Sequence, residues 1–150
     1  MSWIPHITVA SIIEKDKKYL FVEELVDNLI VINQPSGHLE ENETIENACI
    51  RETLEETAYI IKVDYIIGIY QERKKNSKDM WLRFCFKCSI IEELLDKKLD
   101  KNIIKKLWMS KEDIQKKEIK LRNNMVLKSL EDYQEGKNFS KNLICSLFEK

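Results

Sequence analysis

The sequence predicts a single α/β (α+β) domain in which β-strands and helices form layers around one core. Its 150 residues are 43% hydrophobic and 34% charged, a composition that supports a buried core in a chain of this length. Several β-rich apolar runs predict strands, and segments with apolar residues at helical spacing predict helices. No internal repeat or low-complexity linker interrupts this pattern, so we predict one domain over residues 1–150.

The first strands precede Pro35. The runs HITVASII and KYLFVEEL are rich in β-formers and are separated by the polar turn EKDK, which predicts an antiparallel hairpin. LIVIN predicts a further strand, and the QPSG that follows, with Pro35 and Gly37, predicts a turn. These segments lead into an acidic stretch that begins at Gly37.

The acidic stretch contains a predicted helix of about three turns over IENACIRETLEE, which has neither Gly nor Pro and has Thr44 as its N-cap. At about 100° per residue, three carboxylates share one face with small apolar residues of the preceding turns. Ile50 and Leu54 lie on the opposite face, so we expect the helix to be covered on two sides. The carboxylates that should then point into a cleft are Glu52, Glu55 and Glu56.

Two long strands and two further helices are predicted after the acidic stretch. YIIKVDYIIGIYQ and MWLRFCFKCSII predict strands joined by the charged loop ERKKNSKD, a hairpin whose tip is free to carry specificity. Ser110 and Asp113 have capping-box spacing and predict a short helix through about Lys117. NNMVLKSLEDYQE predicts the last helix, which Gly136 ends.

Charge and hydropathy exclude two classes of function. Twenty-five Lys+Arg offset 26 Asp+Glu, so the chain lacks the basic excess of a non-specific nucleic-acid binder. The longest apolar runs fall short of the roughly 20 residues that a membrane span requires, and the N-terminus lacks a signal-peptide pattern. We therefore expect a cytoplasmic protein with no membrane or nucleic-acid partner.

The four cysteines are expected to be free thiols, because a chain of this size folds without disulfides. Cys85 and Cys88 form a C-x-x-C, but they lie in a predicted strand and should point to opposite faces. No second cysteine or histidine pair completes a zinc site.

The charge pattern of the acidic helix is unusual. The segment from Gly37 to Thr57 places seven glutamates in 21 residues, and the helix contains no lysine. Like charges at i+4 cost a few tenths of a kcal/mol, and acids in the last turns oppose the helix macrodipole. Such departures are expected at functional sites, and a divalent cation such as Mg²⁺ on carboxylate oxygens would relieve them. The alternative is an acidic surface neutralised by lysines from elsewhere in the chain.

The spacing of these residues resembles a known motif. Gly37, Glu43 and the segment RETLEETAY fit the Nudix box, G-x5-E-x7-R-E-U-x-E-E-x-G-U, in which U is aliphatic. Before its final glycine, the motif has six positions that require glycine or a particular charged residue. All six match in this chain, at Gly37, Glu43, Arg51, Glu52, Glu55 and Glu56.

Three positions of the box depart from the pattern. Thr53 and Tyr59 occupy aliphatic positions, and Ala58 replaces the final glycine. If position 58 keeps a left-handed C-cap conformation, alanine costs roughly 1 kcal/mol relative to glycine. None of the three departures removes a carboxylate, so they bear on local stability more than on catalysis.

Within that family the chain is similar to the phosphatase NudJ branch, in PHITVA, NQPSGHLE, WLRF and LRNNMVLKSLEDYQEG. The resemblance implies the Nudix fold, a mixed β-sheet sandwiched between helices, and Mg²⁺-dependent hydrolysis, with Mn²⁺ as the alternative metal. The implied substrates are nucleoside tri- and diphosphates and the thiamine precursor 4-amino-2-methyl-5-hydroxymethylpyrimidine diphosphate, with orthophosphate released. The alternatives are a Nudix pyrophosphohydrolase, which releases pyrophosphate, and a non-catalytic nucleotide-binding Nudix domain.

The resemblance also assigns roles to the box residues. We expect Glu52, Glu55 and Glu56 in the metal shell, with the carbonyl of Gly37 as a further ligand. Arg51 should pair with Glu43 or with a ligand carboxylate and so fix its orientation. Glu52 is our choice of general base, and the alternatives are another glutamate of the site or a hydroxide activated by the metal.

The predicted substrate-binding residues are Trp3, Trp81 and Arg83. A tryptophan can stack on a substrate ring, although aromatic residues in strands more often belong to the core. Arg83 alternates onto the face opposite its neighbours, where it either meets a phosphate oxygen or lies at the surface. The expected partner is a small-molecule diphosphate or triphosphate, and the chain is expected to be a monomer or homodimer.

Two marks of narrower specificity in this family are missing. No proline follows the box by about 15 residues, as it does in ADP-ribose hydrolases, because Pro5 and Pro35 are the only prolines. No tyrosine lies 16 to 18 residues after the box, as it does in diadenosine polyphosphate hydrolases. The resemblance therefore implies a broad substrate range.

Overall fold

The computed structural model of the chain describes residues 2–148. Its strands are His6–Ile12 (β1), Glu14–Lys15 (β2), Lys18–Val26 (β3), Leu29–Asn33 (β4), Ser36–His38 (β5), Tyr59–Arg73 (β6), Met80–Glu93 (β7) and Ile103–Met109 (β8). Its helices are Ile45–Thr57 (α1), Lys111–Ile114 (α2) and Asn124–Gln134 (α3), followed by a 3-10 turn at Lys141–Leu143.

Two four-stranded sheets form the centre of the fold. The first has the order β5-β1-β7-β6 and is mixed, because β1 runs parallel to β7 and antiparallel to β5. In the second, β3 pairs antiparallel with β2, β4 and β8. Ala48 and Cys49 of α1 belong to the core cluster on one face of the first sheet, and Val126 and Leu130 of α3 to the cluster on the other. The predicted mixed sheet between helices is confirmed.

The predicted hairpin between HITVASII and KYLFVEEL is wrong in its pairing. A two-residue turn is present, and both Asp16 and Lys17 have positive φ, at 52° and 61°. However, only Glu14–Lys15 pairs with the start of β3. β1 instead pairs with β5 and with β7, and its residues from Thr8 to Ile12 are all buried between the two helical layers.

The long hairpin is confirmed, since β6 pairs antiparallel with β7 along almost its full length. Both strands run further than predicted, to Arg73 and to Glu93, and the extension of β6 to Arg73 shortens the loop. Cys85 and Cys88 belong to the two different core clusters and so lie on opposite faces of β7, as predicted. All four cysteines are free thiols.

The C-terminal half differs from the prediction in length more than in type. Ser110 caps α2 with both bonds of a capping box, but α2 ends at Ile114 rather than at about Lys117. Helix α3 is capped by Asn123, and Gly136 follows it with φ of 84°. Strand β8 was not predicted. Between residues 2 and 148, no helix combines the length and apolar character needed to cross a membrane.

Candidate active site

Helix α1 carries four of the six box residues, Arg51, Glu52, Glu55 and Glu56, and is capped at both ends. At its start, the Thr44 hydroxyl accepts a hydrogen bond from the Asn47 backbone N–H at 3.0 Å, as predicted. At its end, Ala58 adopts the left-handed conformation with φ of 63° and ψ of 15°. Its N–H donates to the Leu54 carbonyl at 2.9 Å. These caps fix where the helix stops, and therefore where its last carboxylates point.

Arg51 connects the carboxylates of the box. Its Nε and Nη2 donate to the two oxygens of Glu43 at 3.0 and 2.7 Å. Its Nη1 donates to Glu52 at 2.7 Å and to Glu55 at 3.2 Å, and Nη2 also reaches the His38 carbonyl. These hydrogen bonds raise the pKa of Arg51 above its ordinary value and lower that of Glu43. Arg51 therefore has both of the partners that the sequence offered as alternatives.

A group of three carboxylates lies at the C-terminal end of α1. Glu52, Glu55 and Asp100 each place one oxygen within 4.8 Å of the others. The backbone N–H of Asp100 donates to the Glu55 carbonyl at 3.0 Å, which holds the loop between β7 and β8 against the helix. Arg51 hydrogen-bonds Glu52 and Glu55 of this group, but one guanidinium does not neutralise three carboxylates, and such an oxygen-rich set fits a hard divalent cation. We call these three residues the acidic cluster.

Glu56 lies beside the acidic cluster rather than within it. One of its oxygens accepts from the Ser36 backbone N–H at 2.6 Å, and the residue is buried. Burial raises the pKa of Glu56 to about 9, against the lowering effect of the Ser36 N–H. Burial likewise raises the pKa of Glu52 to about 7, although Arg51 opposes this. At neutral pH without metal, these two sites therefore retain protons that an ordinary carboxyl would have lost.

Gly37 lies in β5 directly against the Glu52 carboxylate. A Cβ atom at this position would come within 2.0 Å of the Glu52 Cδ, so no other residue fits without displacing Glu52. Gly37 also lines a polar cavity that extends away from the helix toward β7. The acidic cluster and the cavity therefore meet at this residue.

The cavity has a volume of about 190 Å³ and lies between β1, β5, β7 and the N-terminal end of α3. Its wall mixes charges of both signs with one large aromatic ring. These charged and aromatic lining residues are Glu24, Glu72, Lys74, Trp81, Arg83 and Arg122. A polar cavity with three cations beside an acidic cluster suits a ligand that carries phosphate groups.

The structure places two of the three predicted substrate-binding residues on this cavity. Trp81 lines it and stacks on His6, with ring centroids 4.9 Å apart and planes at 14°. Arg83 is only 3% exposed, so the alternative of a surface position is wrong. Trp3 is 59% exposed, donates its indole N–H to the Lys78 carbonyl and does not line the cavity.

Several residues of the site were not predicted from the sequence. Asp100 lies in the charged segment DKKLDKN, where nothing distinguishes it from its neighbours. Thr8, Glu24 and Arg122 line the cavity from segments whose pattern indicates only strand or loop. Their role follows from tertiary contacts, and no short-range pattern signals it.

Fold and site together define the class of protein: the chain belongs to the Nudix family, whose NUDIX domain model matches residues 4–130. It is a Nudix hydrolase. In particular, it is similar to Phosphatase NudJ of Shigella boydii serotype 4 (strain Sb227), with 34% identity over 140 residues. It is 33% identical to Phosphatase NudJ of Escherichia coli (strain K12), also over 140 residues. Both alignments cover 93% of this chain and 90% of the relative.

Comparison with solved structures agrees with this assignment. A NUDIX hydrolase from Nitrosomonas europaea superposes with a TM-score of 0.92 at 37% identity, covering 96% of this chain and 98% of that chain. More distant Nudix structures, such as a UDP-X diphosphatase at 16% identity and a TM-score of 0.73, share the fold. The chain is therefore a NudJ-like Nudix hydrolase that acts on phosphoanhydrides.

Proposed function

We propose that this enzyme hydrolyses nucleoside tri- and diphosphates and 4-amino-2-methyl-5-hydroxymethylpyrimidine diphosphate with Mg²⁺, releasing orthophosphate. The observation that carries the proposal is the acidic cluster beside a cavity that holds three cationic side chains. The relatives named Phosphatase NudJ support orthophosphate as the product. The active unit is proposed to be one domain over residues 1–150, a cytoplasmic monomer or homodimer.

The residues that would hold the metal are those of the acidic cluster, together with Glu56 and the carbonyl of Gly37. Their oxygen donors suit Mg²⁺, and Mn²⁺ accepts the same ligands. When bound, the metal supplies charge neutralisation of phosphate oxygens and activation of a water for attack on phosphorus.

The remaining chemistry belongs to the side chains. Glu52 is proposed as the general base, because its carboxylate belongs to the acidic cluster, where a bound metal would activate the attacking water. Arg51 holds Glu52 and Glu55 in position through Nη1 and is itself anchored by Glu43. Arg51 is thus a positioning residue, which keeps the carboxylates oriented.

The cavity residues bind the rest of the substrate. Trp81, held flat against His6, offers a ring face to a base or pyrimidine. Arg83 offers hydrogen-bond donors from the cavity wall. Trp3 does not line the cavity, so its contact with the substrate stays a prediction and would involve a part of the substrate outside the cavity.

The test is to measure orthophosphate and pyrophosphate release from nucleoside triphosphates, nucleoside diphosphates and the pyrimidine diphosphate, with Mg²⁺ and with chelator. We expect Mg²⁺-dependent orthophosphate release that falls about 100-fold or more in Glu52→Gln and Glu56→Gln. Asp100→Asn should cost about tenfold and raise the Mg²⁺ concentration required. The matched control is Asp96→Asn, an exposed aspartate of the same loop, which should stay within about twofold.

Two results would contradict the proposed activity, and a third would contradict the role of Asp100. Pyrophosphate as the main product would show the alternative Nudix pyrophosphohydrolase activity. A folded protein that yields neither product from any substrate of the panel would be a nucleotide-binding domain without catalysis. Equal losses in Asp100→Asn and Asp96→Asn would remove Asp100 from the metal site.

A further inference from the structure

Two buried polar atoms of the cavity have no hydrogen-bond partner within residues 2–148. They are the Thr8 hydroxyl oxygen and the Arg83 Nε. Thr8 is 6% exposed and Arg83 is 3% exposed, and both line the cavity. A buried polar group without a partner costs roughly 1–3 kcal/mol. A ligand that hydrogen-bonds to both groups is the most direct explanation for their presence side by side.

The two unpartnered groups are neighbours because the strands that carry them pair in the sheet. Thr8 of β1 and Arg83 of β7 are register partners in the parallel pair. Their side chains leave the same face of the sheet, so one ligand atom can meet both. On the other side, Thr8 pairs with His38 of β5, next to Gly37.

Arg83 also forms no salt bridge with a carboxylate within the described residues, although Glu24 and Glu72 line the same cavity. Its Nη1 donates only to two amide oxygens, those of Asn33 at 3.5 Å and Gln34 at 3.4 Å. The nearby acid Glu24 is occupied by Arg122 at 3.4 Å and by Asn33 at 3.1 Å. Burial lowers the pKa of Arg83, but an arginine stays protonated in proteins. A buried, unpaired guanidinium strongly favours an anion.

The position of the pair fits a group next to the reacting phosphate. Adjacent strands lie about 4.8 Å apart, so Arg83 is about 10 Å from the β5 strand that touches the acidic cluster. The same cavity includes Ser36, whose N–H binds Glu56, and Gly37 beside Glu52. An anion at Arg83 therefore lies near the acidic cluster and outside its metal shell.

We propose that the Thr8 hydroxyl and the Arg83 guanidinium form a binding site for the substrate phosphate that is not attacked. The inference rests on the proposed function, because it needs a substrate with at least two phosphates. Thr8 and Arg83 hold the second phosphate while the acidic cluster and its metal hold the first. The pair thus selects diphosphate and triphosphate esters over monophosphates.

The first test measures binding without catalysis, by calorimetric titration of inorganic pyrophosphate into the whole protein in chelator. We expect Arg83→Gln to weaken binding about tenfold or more, as expected for a charge-assisted hydrogen bond. Thr8→Val should weaken it about threefold or more with no loss of thermal stability, because its hydroxyl has no partner in the free protein. The matched control is Arg73→Gln, which removes an exposed arginine outside the cavity and should stay within about twofold.

Thr8→Val decides the question if Arg83→Gln does not fold. The inference is overturned if Thr8→Val binds pyrophosphate as tightly as the wild type does. It is also overturned if the Arg83 and Arg73 variants lose affinity equally, or if the wild type does not bind pyrophosphate. A parallel titration with uridine distinguishes a phosphate from a ring carbonyl. If Arg83→Gln weakens uridine binding and leaves pyrophosphate binding unchanged, the pair binds the ring and the inference is wrong.

The inference and the proposed function can fail separately. If both variants bind pyrophosphate more weakly but the wild type hydrolyses no substrate of the panel, the phosphate site is supported and the proposed activity is contradicted. If the wild type releases orthophosphate with metal but neither variant changes pyrophosphate binding, the proposed activity is supported and the phosphate site is overturned.

Discussion

Ala58 holds a left-handed backbone conformation that a residue with a Cβ adopts at a cost. Its φ of 63° ends α1 where the family pattern has glycine. We predict that Ala58→Gly stabilises the protein by about 0.5–1 kcal/mol, because glycine removes this strain. Denaturant unfolding measures the change.

Ala48→Gly is the matched control for Ala58→Gly. Ala48 is buried in the interior of the same helix, so glycine there should destabilise the protein by about 1 kcal/mol or more. If both substitutions destabilise the protein, the Ala58 methyl contributes more by packing than it costs in strain.

At the residue scale, the site residues that could be predicted from the sequence are those that keep a fixed spacing within one motif. The box residues were found because they keep fixed offsets within 20 positions of the chain, and the structure brings Glu52 and Glu55 together. Asp100 completes the acidic cluster from a loop more than 40 positions further on, and its neighbours in sequence are equally charged. The long-range contact between its N–H and Glu55 is what makes it special, and short-range pattern does not encode such contacts.

At the element scale, α1 is tied to β1 by a buried hydroxyl pair. The side chains of Thr53 and Ser11 lie 2.9 Å apart, and both residues are fully buried. This contact explains why threonine is tolerated at an aliphatic position of the box. We predict that Thr53→Val destabilises the protein by about 1–2 kcal/mol, because the Ser11 hydroxyl loses its partner.

The double variant Ser11→Ala with Thr53→Val completes a thermodynamic cycle. Because it leaves no unpaired hydroxyl, it should recover at least half of the stability lost in Thr53→Val. Additive losses in urea unfolding would mean that the two hydroxyls do not stabilise each other.

Predictability at this scale depends on where each element finds its partner. The β6–β7 hairpin was foreseen because its strands are adjacent in sequence. The pairing of β1 was not foreseen, since β1 joins β7 across half of the chain. β8, with the sequence IIKKLWM, lacks strict alternation and is only partly buried, so its pattern did not predict a strand.

At the scale of the whole molecule, the acidic site couples stability to pH and metal. In the folded, metal-free protein burial raises the pKa of Glu52 to about 7 and of Glu56 to about 9, against an ordinary value of 4.5. Both groups are protonated in both states below pH 4.5, so their stabilisation is fully present there. As pH rises from 4.5 through 9, the unfolded chain releases these protons more readily and stability is lost.

We therefore predict that the melting temperature in chelator falls by at least about 3 °C between pH 6 and pH 9. Saturating Mg²⁺ should largely abolish the fall, because it stabilises the ionised carboxylates of the folded state. Glu56→Gln should show a smaller fall without metal. An equal fall in wild type and Glu56→Gln would show that other groups cause the pH dependence.

The central position of β1 has a consequence for how the site can be divided. β1 lies between β5, which meets the acidic cluster, and β7, which carries Arg83. The site collects Thr8, Gly37, Glu52, Arg83 and Asp100 from five segments of the chain. A fragment that lacks β1 therefore loses both Thr8 and the strand that connects β5, at the acidic cluster, to Arg83 of β7.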